Sequence, residues 1–236
     1  MGELAIGVAH ESGNPLAGMK AVVQSLQFDA TLPARMYEPL HRLEVEIDRL
    51  SDFLRSFRGF AVTATPDLQP VCLREVITDV LFWTGKDARA QGVKLVLDLD
   101  PNLPAILADV QQMKQVLLNL VVNALHAMPD GGCLTLTARA TPQGLRIEIQ
   151  DTGVGIAADV LPQIFDTFYT TRVGGSGLGL SITAKIVQEH GARIDVDSTV
   201  GAGARFVLVW PWLDRRKDER AYSDRRRRRH PAADAA

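Results

Sequence analysis

Three groups of residues in the second half of the chain have types and spacings suited to holding a phosphorylated ligand. Asn119 and Asn123 lie four apart in the run Asn119-Leu-Val-Val-Asn123, so on a helix they share one face. Their neighbours are apolar, and two amides turned into a core would be costly. They are better placed against a polar ligand, and an amide oxygen suits Mg²⁺, which takes hard oxygen donors and keeps some of its waters. Asp151 precedes Thr-Gly153-Val-Gly155-Ile156. A carboxylate at a strand end beside a tight turn can accept from the exocyclic amine of adenine, with Ile156 covering the ring. Taken alone, that string is also consistent with a plain turn. Gly175-Ser176-Gly177-Leu178-Gly179-Leu180 opens a helix. Glycines there allow backbone N–H groups to approach phosphate oxygens, and a helix start favours negative charge. No strand leads directly into this loop, which separates it from a dinucleotide fingerprint.

Between the second and third groups runs Ile164-Phe165-Asp166-Thr167-Phe168-Tyr169-Thr170-Thr171-Arg172. Phe165 and Phe168 act there either as a latch for a mobile lid or as anchors of a long loop. Arg172 can reach a terminal phosphate or stand as a solvated charge. Far upstream, His10-Glu11-Ser12-Gly13-Asn14-Pro15-Leu16 puts an imidazole beside a carboxylate, with Asn14 one turn on. An exposed imidazole is largely neutral near pH 7, leaving one nitrogen free to attack while Glu11 takes or orients the proton on the other. His41, His126, His190 and His230 have no comparable neighbours.

These groups need elements to position them. Leu40, Leu43, Ile47, Leu50, Leu54 and Phe57 recur at steps of three and four, as do Leu16, Met19, Val23 and Leu26. Each set is a narrow seam on a helix. The short link near Asp29 to Pro33 makes the two helices antiparallel, and a dimer would close four such helices around an apolar centre. A plain coiled-coil linker would show the same seams. Pro66 and Pro70 mark a linker. Beyond it the sequence predicts a helix over Arg74–Ala90, a strand over Lys94–Asp100 and a helix capped by Asp109 and running to Met128. It then predicts strands over Leu134–Ala138 and Leu145–Ile149, a helix over Leu178–His190 stopped by Gly191, and strands over Arg193–Asp197 and Ala204–Val209. This order, mostly antiparallel strands with helices between, makes an α/β sandwich with the helices on one face.

The ordered set from His10 to Leu180 closely resembles the phosphoacceptor motif and the N, G1, F and G2 boxes of sensor histidine kinases, over about Leu4 to Trp210. The resemblance implies an α+β chain. Residues 1–62 would form a dimerisation hairpin, a four-helix bundle in the dimer. Residues 63–70 would be a linker, 71–213 an α/β sandwich ATPase domain of the Bergerat type, and 214–236 a basic disordered tail. It implies ATP and Mg²⁺, with Asn123 as metal ligand supported by Asn119, Asp151 reading adenine, and Gly153, Gly155, Gly175, Gly177 and Gly179 shaping pocket and lid. His126 falls where family members often contact phosphate. His10 would be phosphorylated and would pass its phosphate to an aspartate on a response regulator receiver domain, with Asn14 serving the reverse, phosphatase reaction. Related ATPases of this fold carry a water-activating glutamate at the Asn119 position, which an amide cannot replace. Ser12 and Gly13 depart from the family pattern, and Gly13 costs about 1 kcal/mol against alanine in a helix interior. A scaffold or phosphatase with a weakened kinase step, and a free-standing ATPase, are the rival readings.

Composition adds exclusions. The net charge is −2, but Arg215, Arg216, Lys217, Arg220 and Arg225 to Arg229 crowd the end and leave an acidic body. That argues against direct nucleic-acid binding by the folded part. Cys72 and Cys133 form no CxxC pair and read as buried thiols of a reducing compartment. No run is apolar enough to span a bilayer, and Met1 to His10 lack the pattern of a signal peptide. The expectation is a cytoplasmic homodimer with room for a sensor upstream.

Overall fold

A computed structural model describes residues 2–28, 32–47, 50, 66–172 and 175–212; within the first helix, side chains are described from Pro15 onward. Helix α1 spans Gly2–Gln27 and α2 covers 37–47. Leu16, Val23, Leu40 and Ile47 form one buried cluster with Leu32 beside it. The Gln24 and Gln27 amides both donate to Glu44, at 2.8 and 3.2 Å. Only alternate seam positions are covered: Met19, Leu26, Leu43 and Leu50 remain 42–55% exposed. Leu54 and Phe57 lie outside the described residues.

The sheet domain begins with β1 (Gln69–Val71), overlapping the end of the stretch read as linker, paired antiparallel to β3 (Ile106–Ala108). The sequence reading missed both of these short strands. The main sheet contains β2 (Val93–Leu99), β4 (Gly132–Thr141), β5 (Gly144–Asp151), β6 (Arg193–Thr199) and β7 (Gly203–Pro211), in the order β2-β4-β5-β7-β6. β2 runs parallel to β4 and the other neighbours are antiparallel. Alternation sets the faces. Leu134, Leu136 and Ala138 of β4 and Leu145, Ile147 and Ile149 of β5 are buried. They share one core with the apolar faces of α3 (Leu73–Ala90), α4 (Val110–Ala127) and α5 (Gly179–Glu189). The opposite face is polar, with Arg146 on Glu148 at 2.6 Å and Arg205 on Asp197 at 2.6 Å.

Two local details govern the site. Asp109 caps α4 as its sequence position predicts: Oδ1 accepts the N–H groups of Gln111 and Gln112 at 2.9 and 3.1 Å. His190, which caps α5 at its far end, pairs its Nδ1 with the Ile186 carbonyl at 2.8 Å and accepts the Asp109 N–H on Nε2 at 3.0 Å. Its ring lies 4.8 Å from that of Trp210, and burial lowers its pKa from 6.5. The cysteine expectation needs correction. Cys72 is exposed and Cys133 is half-buried, because Leu73 rather than Cys72 takes the core position at the start of α3.

Candidate nucleotide site

α4 turns Met113, Val116, Leu117, Leu120, Val121 and Ala124 into the core, which puts Asn119 and Asn123 on a neighbouring, half-buried face. Asn119 Nδ2 donates to the Gly179 carbonyl at 2.9 Å and to Thr183 Oγ1 at 3.3 Å. Its Oδ1 accepts from Gln115 Nε2 at 3.3 Å. The first amide thus ties α4 to the opening turn of α5. Asn123, one turn on, has no side-chain hydrogen-bond partner among the described residues, an arrangement suited to a ligand. His126 is exposed in the last turn of α4.

Asp151 ends β5 almost wholly buried, at 3% exposure. Its Oδ1 accepts the N–H groups of Gly153 at 2.9 Å and Ala204 at 3.2 Å. Both bonds fall on one oxygen, so Oδ2 is the one left to a ligand. Burial raises the pKa of this carboxyl, and the backbone donors offset only part of that rise. The following loop is clamped from two sides. Val154 N–H donates to the Ala127 carbonyl of α4 at 3.0 Å. A Cβ on Gly153 would stand 2.4 Å from that same carbonyl oxygen, so only glycine permits the approach. Ile156 N–H donates to Ser198 Oγ at 2.8 Å, and Ser198 Oγ to the Gly203 carbonyl at 2.7 Å. Ile156 itself packs at the edge of the core. Gly155 belongs to this clamped turn.

In the next segment the two aromatics differ. Phe165 is half-buried on the core, whereas Phe168 is 58% exposed and holds a left-handed backbone with φ 69°. Phe168 N–H donates to the Gly177 carbonyl at 2.9 Å. Gly177 is itself left-handed, φ 65°, and a Cβ there would lie 2.3 Å from the Phe168 carbonyl carbon. Gly175 N–H donates to the Arg172 carbonyl at 3.2 Å, and Ser176 Oγ accepts from Leu178 N–H at 3.3 Å. Leu178 is fully buried at the head of α5 and Leu180 half-buried behind it. The Arg172 side chain is exposed, with no carboxylate partner among the described residues.

The four segments therefore meet. α4 touches the Asp151 loop through Ala127 and the glycine loop through Asn119, and that loop touches the aromatic segment through Gly177. His10, Glu11 and Asn14 lie on α1, and their side chains are outside the described residues. The sequence reading missed Gln115, Thr183 and Ser198. Gln115 sits four before Asn119, a spacing that could have flagged it. Thr183 and Ser198 carried no comparable signal.

The family of histidine kinase-, DNA gyrase B- and HSP90-like ATPases matches residues 108–214. The catalytic domain of the histidine kinase ThkA superposes with a TM-score of 0.57 at 30% identity, covering 61% of this chain and 95% of that one. The chain belongs to the histidine kinase family. The sensor histidine kinase ZraS of Escherichia coli O157:H7 is 36% identical to this histidine kinase over 218 residues, 92% of this chain and 48% of that protein. Sporulation kinase E of Bacillus subtilis is 32% identical over 224 residues, 93% of this chain and 30% of that protein. Full-length ShkA in complex with AMPPNP superposes with a TM-score of 0.73 at 28% identity, over 90% of this chain and 46% of that one. The chain spans about half the length of ZraS and less of sporulation kinase E. No described helix of this histidine kinase is long and apolar enough to cross a membrane.

Proposed function

We propose that this chain is the catalytic portion of an ATP-dependent protein-histidine kinase that phosphorylates its own His10 and passes the phosphate to an aspartate on a response regulator receiver domain. The observation carrying this reading is the continuous wall made by α4, the Asp151 loop and the glycine loop around the two amides. ATP would lie along it, with Asp151 Oδ2 accepting from the adenine amine, Ile156 against the ring, and the N–H groups of Ser176, Gly177, Gly179 and Leu180 facing the phosphates. His126 and Arg172 are the side chains nearest in sequence to these segments that could meet phosphate oxygens. Among the described residues no cluster of three or more His, Cys, Asp or Glu could hold a cation. The donors of this wall are amide oxygens, which fit Mg²⁺ arriving with the nucleotide rather than a resident metal. Asn123 and Asn119 would hold it, and it would neutralise charge on the transferred phosphoryl group.

His10 attacks the γ-phosphorus through one ring nitrogen as the bond to the ADP oxygen breaks, and Glu11 takes the proton from the other nitrogen. Transfer then moves the phosphoryl group from that nitrogen to the receiver's carboxylate. Asn14 would orient water in the reverse reaction. The uncovered seam of Met19, Leu26, Leu43 and Leu50 supports a homodimer closing a four-helix bundle, and ShkA's complex with AMPPNP supports the nucleotide. A cytoplasmic setting follows from this partner chemistry.

The test is to incubate the chain with γ-labelled ATP and Mg²⁺ beside His10→Gln and Asn123→Asp variants. Acid-labile, base-stable label on the parent alone is expected. Label that survives the His10 change would remove this site, and phosphate release without protein label would make the chain a free-standing ATPase.

A further inference from the structure

Thr183 lies outside every motif above, yet it is fully buried and commits its hydroxyl at a single place. Oγ1 donates to the Gly179 carbonyl at 2.9 Å and accepts from Asn119 Nδ2 at 3.3 Å. The same carbonyl accepts from Asn119 Nδ2 at 2.9 Å. The directions are forced by chemistry: a carbonyl only accepts, so Thr183 gives its one proton there. Towards Asn119 it can then only accept, and Asn119 must point its NH₂ at α5. Gln115 agrees with this polarity, giving its own NH₂ to Asn119 Oδ1 at 3.3 Å. The amide oxygen is thereby turned away from α5, with one lone pair still uncommitted.

We propose that Thr183 is a positioning residue for the nucleotide-bound cation, because it holds the Asn119 amide in the one orientation that offers oxygen rather than N–H. This inference rests on the ATP and Mg²⁺ reading above. A flipped amide would set its NH₂ toward the metal and its oxygen against the Gly179 carbonyl, and Thr183 could follow that flip only by turning its proton away from the same carbonyl and leaving it without either donor.

The experiment compares ATP affinity in Mg²⁺ with that in EDTA, by calorimetry on the whole chain, for the parent, Thr183→Val and Thr183→Ser. Thermal melting is read beside it. Valine keeps the shape and removes both hydrogen-bonding roles, whereas serine retains them. Thr183→Val is expected to lose about three- to tenfold of the Mg²⁺-dependent gain, the worth of one neutral hydrogen bond, with affinity in EDTA unchanged. Thr183→Ser keeps the gain, and Thr183→Val adds nothing in an Asn119→Ala background. Should the valine protein fail to fold, Thr183→Ala takes its place. A full Mg²⁺ gain in Thr183→Val overturns the proposal, as does a loss that persists without the Asn119 amide. A parent that binds no ATP overturns the function itself, and so is distinguishable from failure of this inference alone.

Discussion

Replacing Asp151 by asparagine separates the cost of holding a buried carboxylate from its use. Asp151 is 3% exposed, and two backbone N–H groups meet its Oδ1. An asparagine keeps that arrangement by presenting its oxygen to Gly153 and Ala204, which places its NH₂ where Oδ2 was. The new group is a donor facing the donor amine of adenine. A hydrogen bond to a charged acceptor contributes about 1.5–3 kcal/mol, so ATP should bind roughly 10- to 150-fold more weakly. Stability should move the other way. Burial raises the Asp151 pKa above 3.8 in the folded chain. The contribution of this group to stability is therefore complete below pH 3.8 and is lost as pH rises through the raised value. The asparagine side chain never ionises and so avoids that loss. At pH 7 the Asp151→Asn variant should melt no lower than the parent, and its advantage should shrink as pH falls towards 4. Calorimetric titration with ATP and Mg²⁺, and melting followed by circular dichroism, read the two effects separately. Unchanged ATP affinity would refute the adenine contact, and a melting point that collapses with affinity would refute the claim that asparagine satisfies the same backbone donors.

The glycine loop yields a contrast. Gly177→Ala forces a side chain into left-handed backbone 2.3 Å from Phe168 and should cost about 1–2 kcal/mol or more in urea denaturation, whereas Gly179→Ala, whose Cβ meets nothing nearer than 3.8 Å, should stay within about 0.5 kcal/mol of the parent. His190 is neutral in the fold because burial lowers its pKa from 6.5, with Asp109 and Glu189 the charges nearby. Its contribution is present above pH 6.5 and lost as pH falls through the lowered value, so a His190→Gln chain should lose less melting temperature between pH 7 and 5 than the parent. Leu43→Asp places a charge on an exposed seam position and should leave the sheet domain's melting intact while sedimentation velocity shifts from dimer to monomer.

How far the sequence carries depends on the range of the interaction. Asp109 was legible as a cap because its partners, Gln111 and Gln112, are two and three residues away. The strands of the main sheet were legible because the alternation of Leu134, Leu136 and Ala138 reports burial on one side. Strands β1 and β3 were not, since three residues carry no period. Pro70 argued against a strand, yet it sits in a two-stranded ribbon opposite Leu107, where the missing N–H costs little. The heptad seam matches the helices over 2–27 and 37–47 but could not tell which half of each seam the hairpin covers. Leu16 and Val23 lie inward, whereas Met19 and Leu26 do not. The contact of Asn119 with Gly179 spans sixty residues. The sequence pointed to both as ligand-facing and could not show that they hold each other.

That contact bears on why position 119 is an amide rather than a carboxylate. Position 119 faces a carbonyl that only accepts and a threonine whose proton is already given to that carbonyl. A group that donates is required on that side. A carboxylate would meet the Gly179 oxygen with a lone pair, and Thr183 could donate to that carboxylate only by withdrawing its proton from the same carbonyl, which would then lose both of its side-chain donors. The beginning of α5 and the identity of residue 119 are thus one choice. The glycine loop is held to α4 by a side chain that can donate, and a side chain that donates cannot strip a proton from water. On the proposed function, the interaction that fastens the loop would also withhold a general base for hydrolysis and leave the phosphoryl group of ATP to an incoming imidazole.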